Sequence, residues 1–124
     1  MAEALQAQFE EEVSKFKQNE KDREKYIMSR QQLEAQLTEN NMVKEELTLL
    51  SDDSSVYKLI GAALVKQDLV EARANVEKRI EYISCEMKRV ETALADIASK
   101  GKQQQDKITA IQQQFGKLAA VQGK

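Results

Sequence analysis

Val56-Tyr57-Lys58-Leu59-Ile60-Gly61-Ala62-Ala63-Leu64-Val65-Lys66-Gln67 is the stretch on which the fold turns. Two short β-prone runs flank Gly61-Ala62-Ala63, a turn short enough for a hairpin, and Gly61 is free to take the positive φ that such turns often need. An ordinary linker is the plain alternative. A solvated linker is expected to be polar, however, and this one holds Val, Tyr, Leu, Ile, Leu and Val within ten residues. A lone two-stranded hairpin is marginal in water, and both its edges carry unpaired N–H and C=O groups. Strands from other chains are the natural completion, which makes Val56, Tyr57, Leu59, Ile60, Leu64 and Val65 candidate assembly residues.

On either side the pattern becomes helical. Upstream, Ser51-Asp52-Asp53-Ser54-Ser55 is a polar breaker run. Before it a 3-4 spacing runs through Leu5, Phe9, Glu12, Phe16, Asn19, Arg23, Tyr26, Arg30, Leu33, Leu37, Asn40, Lys44 and Leu47, and seven of these thirteen positions are apolar. Downstream, Asp68-Leu69-Val70-Glu71 has the form of a capping box that opens a second helix. There the spacing runs from Leu69 through Arg73, Val76, Ile80, Ile83, Met87, Val90, Leu94, Ile97, Gly101, Gln104, Ile108, Ile111, Phe115 and Leu118 to Gln122, with twelve of sixteen positions apolar. Heptads sustained this long mean coiled coil. The chain is thus expected to be mainly α: a long antiparallel two-helix coiled coil with one β-hairpin at its apex. Helix one is expected at about 5–50, the hairpin at about 56–67 and helix two at about 69–120, all in a single domain 1–124.

Folding back near residue 60 sets position i roughly opposite 120 minus i, so that Leu37 lies near Ile83, Leu33 near Met87, Tyr26 near Leu94 and Phe9 near Ile111. Asn19, Gly101 and Gln104 are expected to bury poorly, and Gly101 costs about 1 kcal/mol in helix propensity relative to Ala. Arg23 and Arg30 are read as snorkelling seam residues that help fix register. Beyond this weak point lie Leu5, Phe9, Val13 and Phe16 on one helix and Ile108, Ile111, Phe115 and Leu118 on the other. They either continue the seam or form an interaction site, because two helices alone cannot enclose all of this apolar surface. Lys100, Lys102, Lys107, Lys117 and Lys124, with seven Gln from Gly101 onward, keep such a tip soluble or simply form a solvated face.

Composition agrees with elongation. The 124 residues include no Pro, no Trp, four Gly and 5% aromatics, too few to turn and fill a compact domain, against 32% charged residues. With no His and one Cys, zinc sites, Ser-His or Cys-His nucleophile pairs and an intrachain disulfide are excluded, and Cys85 is read as a passive thiol. The four glycines are isolated, so no phosphate-binding loop occurs. An enzyme is the least favoured class, and no cofactor or metal is expected. No signal peptide and no apolar run of spanning length is seen, which points to the reducing cytoplasm. Net charge is −2, against general nucleic-acid binding, but residues 1–62 carry −5 and residues 63–124 carry +3, as suits a chain that folds back on itself.

This arrangement resembles a β-type subunit of the prefoldin family, and the resemblance extends to residues. Arg30-Gln31-Gln32-Leu33-Glu34-Ala35-Gln36-Leu37-Thr38-Glu39-Asn40-Asn41 with Val43-Lys44-Glu45-Glu46-Leu47 is similar to the family's first-helix signature. Val56 to Gly61 resembles its first strand; Leu64 to Asp68, Glu71-Ala72-Arg73 and Lys78-Arg79-Ile80-Glu81-Tyr82-Ile83 resemble its second strand and helix start. Similarity is dense over roughly residues 30–83, and Ala62 stands where relatives often have Pro. The resemblance implies a non-enzymatic, ATP-independent co-chaperone. It would join two α-type and three further β-type subunits through its hairpin, catch unfolded actin and tubulin at coiled-coil tips, and hand them to the group II chaperonin, with no nucleic acid or membrane involved. Leu5, Phe9, Val13, Phe16, Ile108, Ile111, Phe115 and Leu118 would then be client contacts. The rival is a homodimeric coiled-coil scaffold or tether, which leaves the hairpin idle.

Overall fold

The computed structural model describes residues 2–122; the side chain of Gln122, the last seam position, and Lys124, counted among the tip lysines, lie outside the described residues, as do the limits 1 and 124 of the domain. Four elements follow in order: helix α1 (Ala2–Leu49), strands β1 (Val56–Ile60) and β2 (Ala63–Gln67), and helix α2 (Leu69–Gln122). The protein is mainly α, two long antiparallel helices joined by one antiparallel hairpin. It divides into two compact units, one formed by Ser29–Val90 and the other by α1 up to Met28 with α2 from Glu91.

In the unit Ser29–Val90, Leu47, Leu69, Ala72 and Val76 form a buried cluster against which Val56 and Ile80 pack. Ile83 and Val90 continue the buried stripe along α2. Helix α1 stops where the serine and aspartate run begins: Leu50 N–H donates to the Leu47 carbonyl in a closing 3₁₀-type turn, and Ser54 N–H donates to Ser51 O at 3.0 Å. No basic residue stands in its last turn. Arg73 of α2 supplies the cation instead, donating from Nε (3.1 Å) and Nη2 (2.8 Å) to the Leu47 carbonyl and from Nη2 to Leu50 O (3.1 Å). Four helix-end carbonyls otherwise lack partners, and a guanidinium there also meets the negative end of the helix dipole. What the heptads present as a gap in the seam is a cap.

Helix α2 begins at the expected place, with the Asp68 carbonyl accepting from Ala72 N–H at 2.8 Å. The capping box itself is not formed: among the described residues neither the Asp68 nor the Glu71 carboxylate makes a hydrogen bond. Polar residues inside α1 are accommodated by bonding back one turn, Thr38 to Glu34 O, Asn40 to Gln36 O and Thr48 to Lys44 O.

In the other unit Leu5, Ile97, Ile108 and Ile111 are buried, and the rings of Phe9 and Phe115 meet edge to face, centroids 6.2 Å apart at 84°. Phe9 therefore contacts a residue one turn past the expected Ile111. The expectation that Asn19 buries poorly is corrected. It is 8% exposed, and its Nδ2 donates at 3.0 Å to the Ile97 carbonyl across the pair. Gly101 makes this possible, since a Cβ there would lie 3.2 Å from that nitrogen. Arg23 and Arg30 are both exposed, whereas Asp22 and Ile27 are half-buried beside the seam residue Tyr26.

Candidate functional site

The hairpin is the most exposed apolar element of the chain. Its register pairs Val56 with Gln67, Tyr57 with Lys66, Lys58 with Val65, Leu59 with Leu64 and Ile60 with Ala63. The loop is two residues, Gly61 and Ala62; Gly61 has φ +61° and Ala62 does not have positive φ, the pattern of a type II′ turn. Side chains opposite one another share a face, so one face carries Tyr57, Leu59, Leu64 and Lys66, and the other Val56, Lys58, Ile60, Ala63, Val65 and Gln67. Neither face is covered. Leu59 is 68% and Leu64 69% exposed, and Tyr57, Ile60 and Val65 are exposed as well. Val56 differs from the other five candidates: it is half-buried against the Leu47 cluster and roots the ribbon on the helices. Both long edges have free main-chain groups, since β1 and β2 pair only with each other. A ribbon apolar on both faces and open at both edges is suited to become part of a larger sheet or barrel.

The tip candidates are placed otherwise. Leu5, Ile108 and Ile111 are buried in the seam, and as placed they hold the two helices together and do not face solvent. Phe9, Val13, Phe16, Phe115 and Leu118 are half-buried. Phe9 and Val13 line an open groove of about 420 Å³ with Ser14, Lys17 and Lys21. A second groove, of about 350 Å³, lies between Glu12 on α1 and Lys107 and Ile111 on α2. Near it the Glu12 Oε2 and Gln104 Oε1 atoms are buried without a hydrogen-bond partner, a weak layer in the seam. On the outer face of α1, Lys15 pairs with Glu11 at 3.3 Å, and the hydrogen bond and charge of Glu11, with a smaller effect of Glu12, raise the ammonium above its usual range.

Exposed large apolar side chains concentrate in the unit Ser29–Val90, which holds eleven of the thirteen found among the described residues; Met28 and Val121 are the others. Besides the hairpin they include Met42, Val43, Leu49, Leu50, Val70 and Tyr82. Heptad reasoning missed these six because it follows the residues between the helices. Their signal was apolar character off the seam, close to the hairpin in sequence. Among the described residues no cluster of His, Cys, Asp or Glu has the form of a metal site, and no helix is long and apolar enough to cross a membrane.

Comparison with known proteins gives a consistent picture. A family model described as prefoldin subunit matches residues 10–115. The chain is 56% identical over 113 residues to a probable prefoldin subunit 6 of Caenorhabditis elegans, covering 91% of this chain and 90% of the relative. It is 49% identical over 120 residues to prefoldin subunit 6 of Homo sapiens, covering 97% and 93%, and 43% identical to that of Arabidopsis thaliana over the same shares. In fold it is similar to the crystal structure of the prefoldin beta subunit from Thermococcus strain KS-1, with a TM-score of 0.78, 22% identity, and coverage of 83% and 90%.

Proposed function

This chain belongs to the prefoldin subunit family, and from that premise we propose that it is the β-type, subunit-6-like member of a hetero-hexamer of two α-type and four β-type chains. Membership of the family carries a chaperone role within the prefoldin complex and assembly with other prefoldin subunits. The finer reading is that residues 1–124 act as one β-type domain in the cytoplasm, without ATP, cofactor or catalysis. It captures unfolded actin and tubulin at the coiled-coil tip and passes them to the group II chaperonin. The observation that supports this best is the hairpin: Tyr57, Leu59, Ile60, Leu64 and Val65 are exposed on both its faces while its edges remain unpaired.

Burial of a ribbon of this kind between neighbours gives a large apolar gain without any covalent or nucleotide-dependent step. At the tip, half-buried Phe9, Val13, Phe16, Phe115 and Leu118 offer apolar contact that is non-directional and therefore tolerant of varied client sequences. The test is to replace Tyr57, Leu59 and Ile60 with Ser, mix the variant with the other five kinds of subunit, and weigh the product by native mass spectrometry. Loss of the hexamer with helicity retained is expected. Hexamers formed as readily as by the parent chain would remove the hairpin from assembly.

A further inference from the structure

We propose that the groove beside Tyr82 receives a helix from a neighbouring subunit of the same complex, so that assembly uses a helical contact as well as the hairpin. This deepens the assembly reading and rests on it. The groove measures about 600 Å³ and lies on one side of the helix pair within the unit Ser29–Val90. Ile83 forms its buried floor; Val43 of α1 and Tyr82 of α2 form its apolar walls. Tyr82 is 67% exposed and Val43 39% exposed, which is unusual for large apolar side chains sharing one concavity.

Two further observations specify the occupant. First, the groove is close to the assembly surface. Val43 lies six residues before the end of α1 at Leu49, about 9 Å along the axis, and Leu50, exposed just past that end, opens the run that leads into the hairpin. Second, the rims carry opposite charge. Lys78 and Arg79 border the groove on the α2 side and Glu39 on the α1 side, and none of the three forms an ion pair among the described residues. A groove between two helices accepts the apolar stripe of a third, read at i, i+3, i+4 and i+7. The fitting partner is an amphipathic helix with acids flanking its stripe on the Lys78 and Arg79 side and a base on the Glu39 side. An unfolded client has no fixed helix of this pattern, whereas a subunit held at a defined angle by its own hairpin does.

The experiment uses the reconstituted complex without client, carrying a photo-reactive benzoylphenylalanine at position 82 of this chain. Illumination is expected to link it to a helical segment of one particular neighbouring subunit. Links formed only after addition of an unfolded client, or none to any subunit, would overturn the proposal. In parallel, Val43→Ala with Tyr82→Ala, and separately Lys78→Glu with Arg79→Glu, should each speed subunit exchange about tenfold, the effect of a central interface residue. Circular dichroism checks that helicity is unchanged. If the parent chain never enters a hexamer, the assembly reading itself fails. If it enters and both groove variants exchange at the parent rate, the groove alone is refuted.

Discussion

Replacing Gly101 with Ala probes the seam at its least ordinary point. Ala is favoured over Gly inside a helix by about 1 kcal/mol, so a solvated site would gain that amount. Here the new Cβ would stand 3.2 Å from Asn19 Nδ2. That nitrogen donates at 3.0 Å to the Ile97 carbonyl, which by helix geometry already accepts the N–H of Gly101. To relieve the contact the amide must retreat by a few tenths of an ångström, which stretches its bond past the usual N–H···O range of about 3.2 Å. Asn19 is 8% exposed, so water does not take over the bond. A buried donor left unsatisfied costs about 1–3 kcal/mol. Set against the helical gain, Gly101→Ala is expected to lie between neutral and about 2 kcal/mol destabilising. With Asn19→Ala already in place, the same change should stabilise by about 1 kcal/mol. The assay is urea unfolding of the four proteins of this cycle, followed by far-ultraviolet circular dichroism at one fixed concentration, since association shifts apparent stability. A coupling energy of about 1 kcal/mol or more is expected; equal stabilisation by Gly101→Ala in both backgrounds, within about 0.3 kcal/mol, would refute the packing of Asn19 against Gly101.

Three other outcomes are expected. Arg73→Met removes the cations from the Leu47 and Leu50 carbonyls and should cost about 1–2 kcal/mol by urea unfolding, the site being only half-buried; Arg73→Lys should recover only part, because an ammonium lacks the fork that bonds two carbonyls. Gly61→Ala should weaken the thermal stability of the assembled complex by a backbone penalty of about 1–2 kcal/mol, because φ is +61° while a Cβ there meets nothing within 4 Å; a loss of no more than a few tenths would show that the turn readily changes type. Val13→Ser, in the open tip groove, should lower suppression of client aggregation with little change in unfolding midpoint, whereas Ile108→Ala, buried in the seam, should lower the midpoint by about 2–4 kcal/mol equivalent. The reverse pattern would exchange their roles.

Much of the fold was legible because period and punctuation agree. Twelve apolar positions in sixteen along α2, a serine and aspartate run at the end of α1, and a glycine between two β-prone runs each specify one local structure. What escaped was what depends on the facing helix. Asn19 and Gly101 each read as a defect in its own helix, and only their juxtaposition makes them a packed pair. Arg73 read as a gap because sequence spacing does not say that a helix ends opposite it. Arg23 stands on the seam by spacing, yet it is exposed while its neighbour Asp22 is half-buried, a rotation that the spacing alone does not carry. The candidate site was legible in part: the ribbon's apolar residues are exposed, but heptads do not separate Leu5 and Ile108, which the seam encloses, from Phe9 and Val13, which share a groove with solvent.

That separation bears on how a tip of this kind can bind. Side chains half-used by the seam offer a client only their remaining surface. Contact of about 300 Å² at about 25 cal/mol per Å² amounts to roughly 7 kcal/mol, before the losses of ordering both partners. On the proposed reading, one tip would hold a client weakly, and several tips fixed on a common platform would hold it through effective concentration, while each contact would still open quickly. The two apolar surfaces then call for opposite designs. An assembly surface should be large and wholly unused by its own chain, as Tyr57, Leu59 and Leu64 are. A client surface should be small and already half-satisfied, so that release leaves little apolar area exposed to water. Among the described residues the exposed large apolar side chains number eleven in the unit Ser29–Val90 and two in the other, the distribution that the proposed division of labour would require.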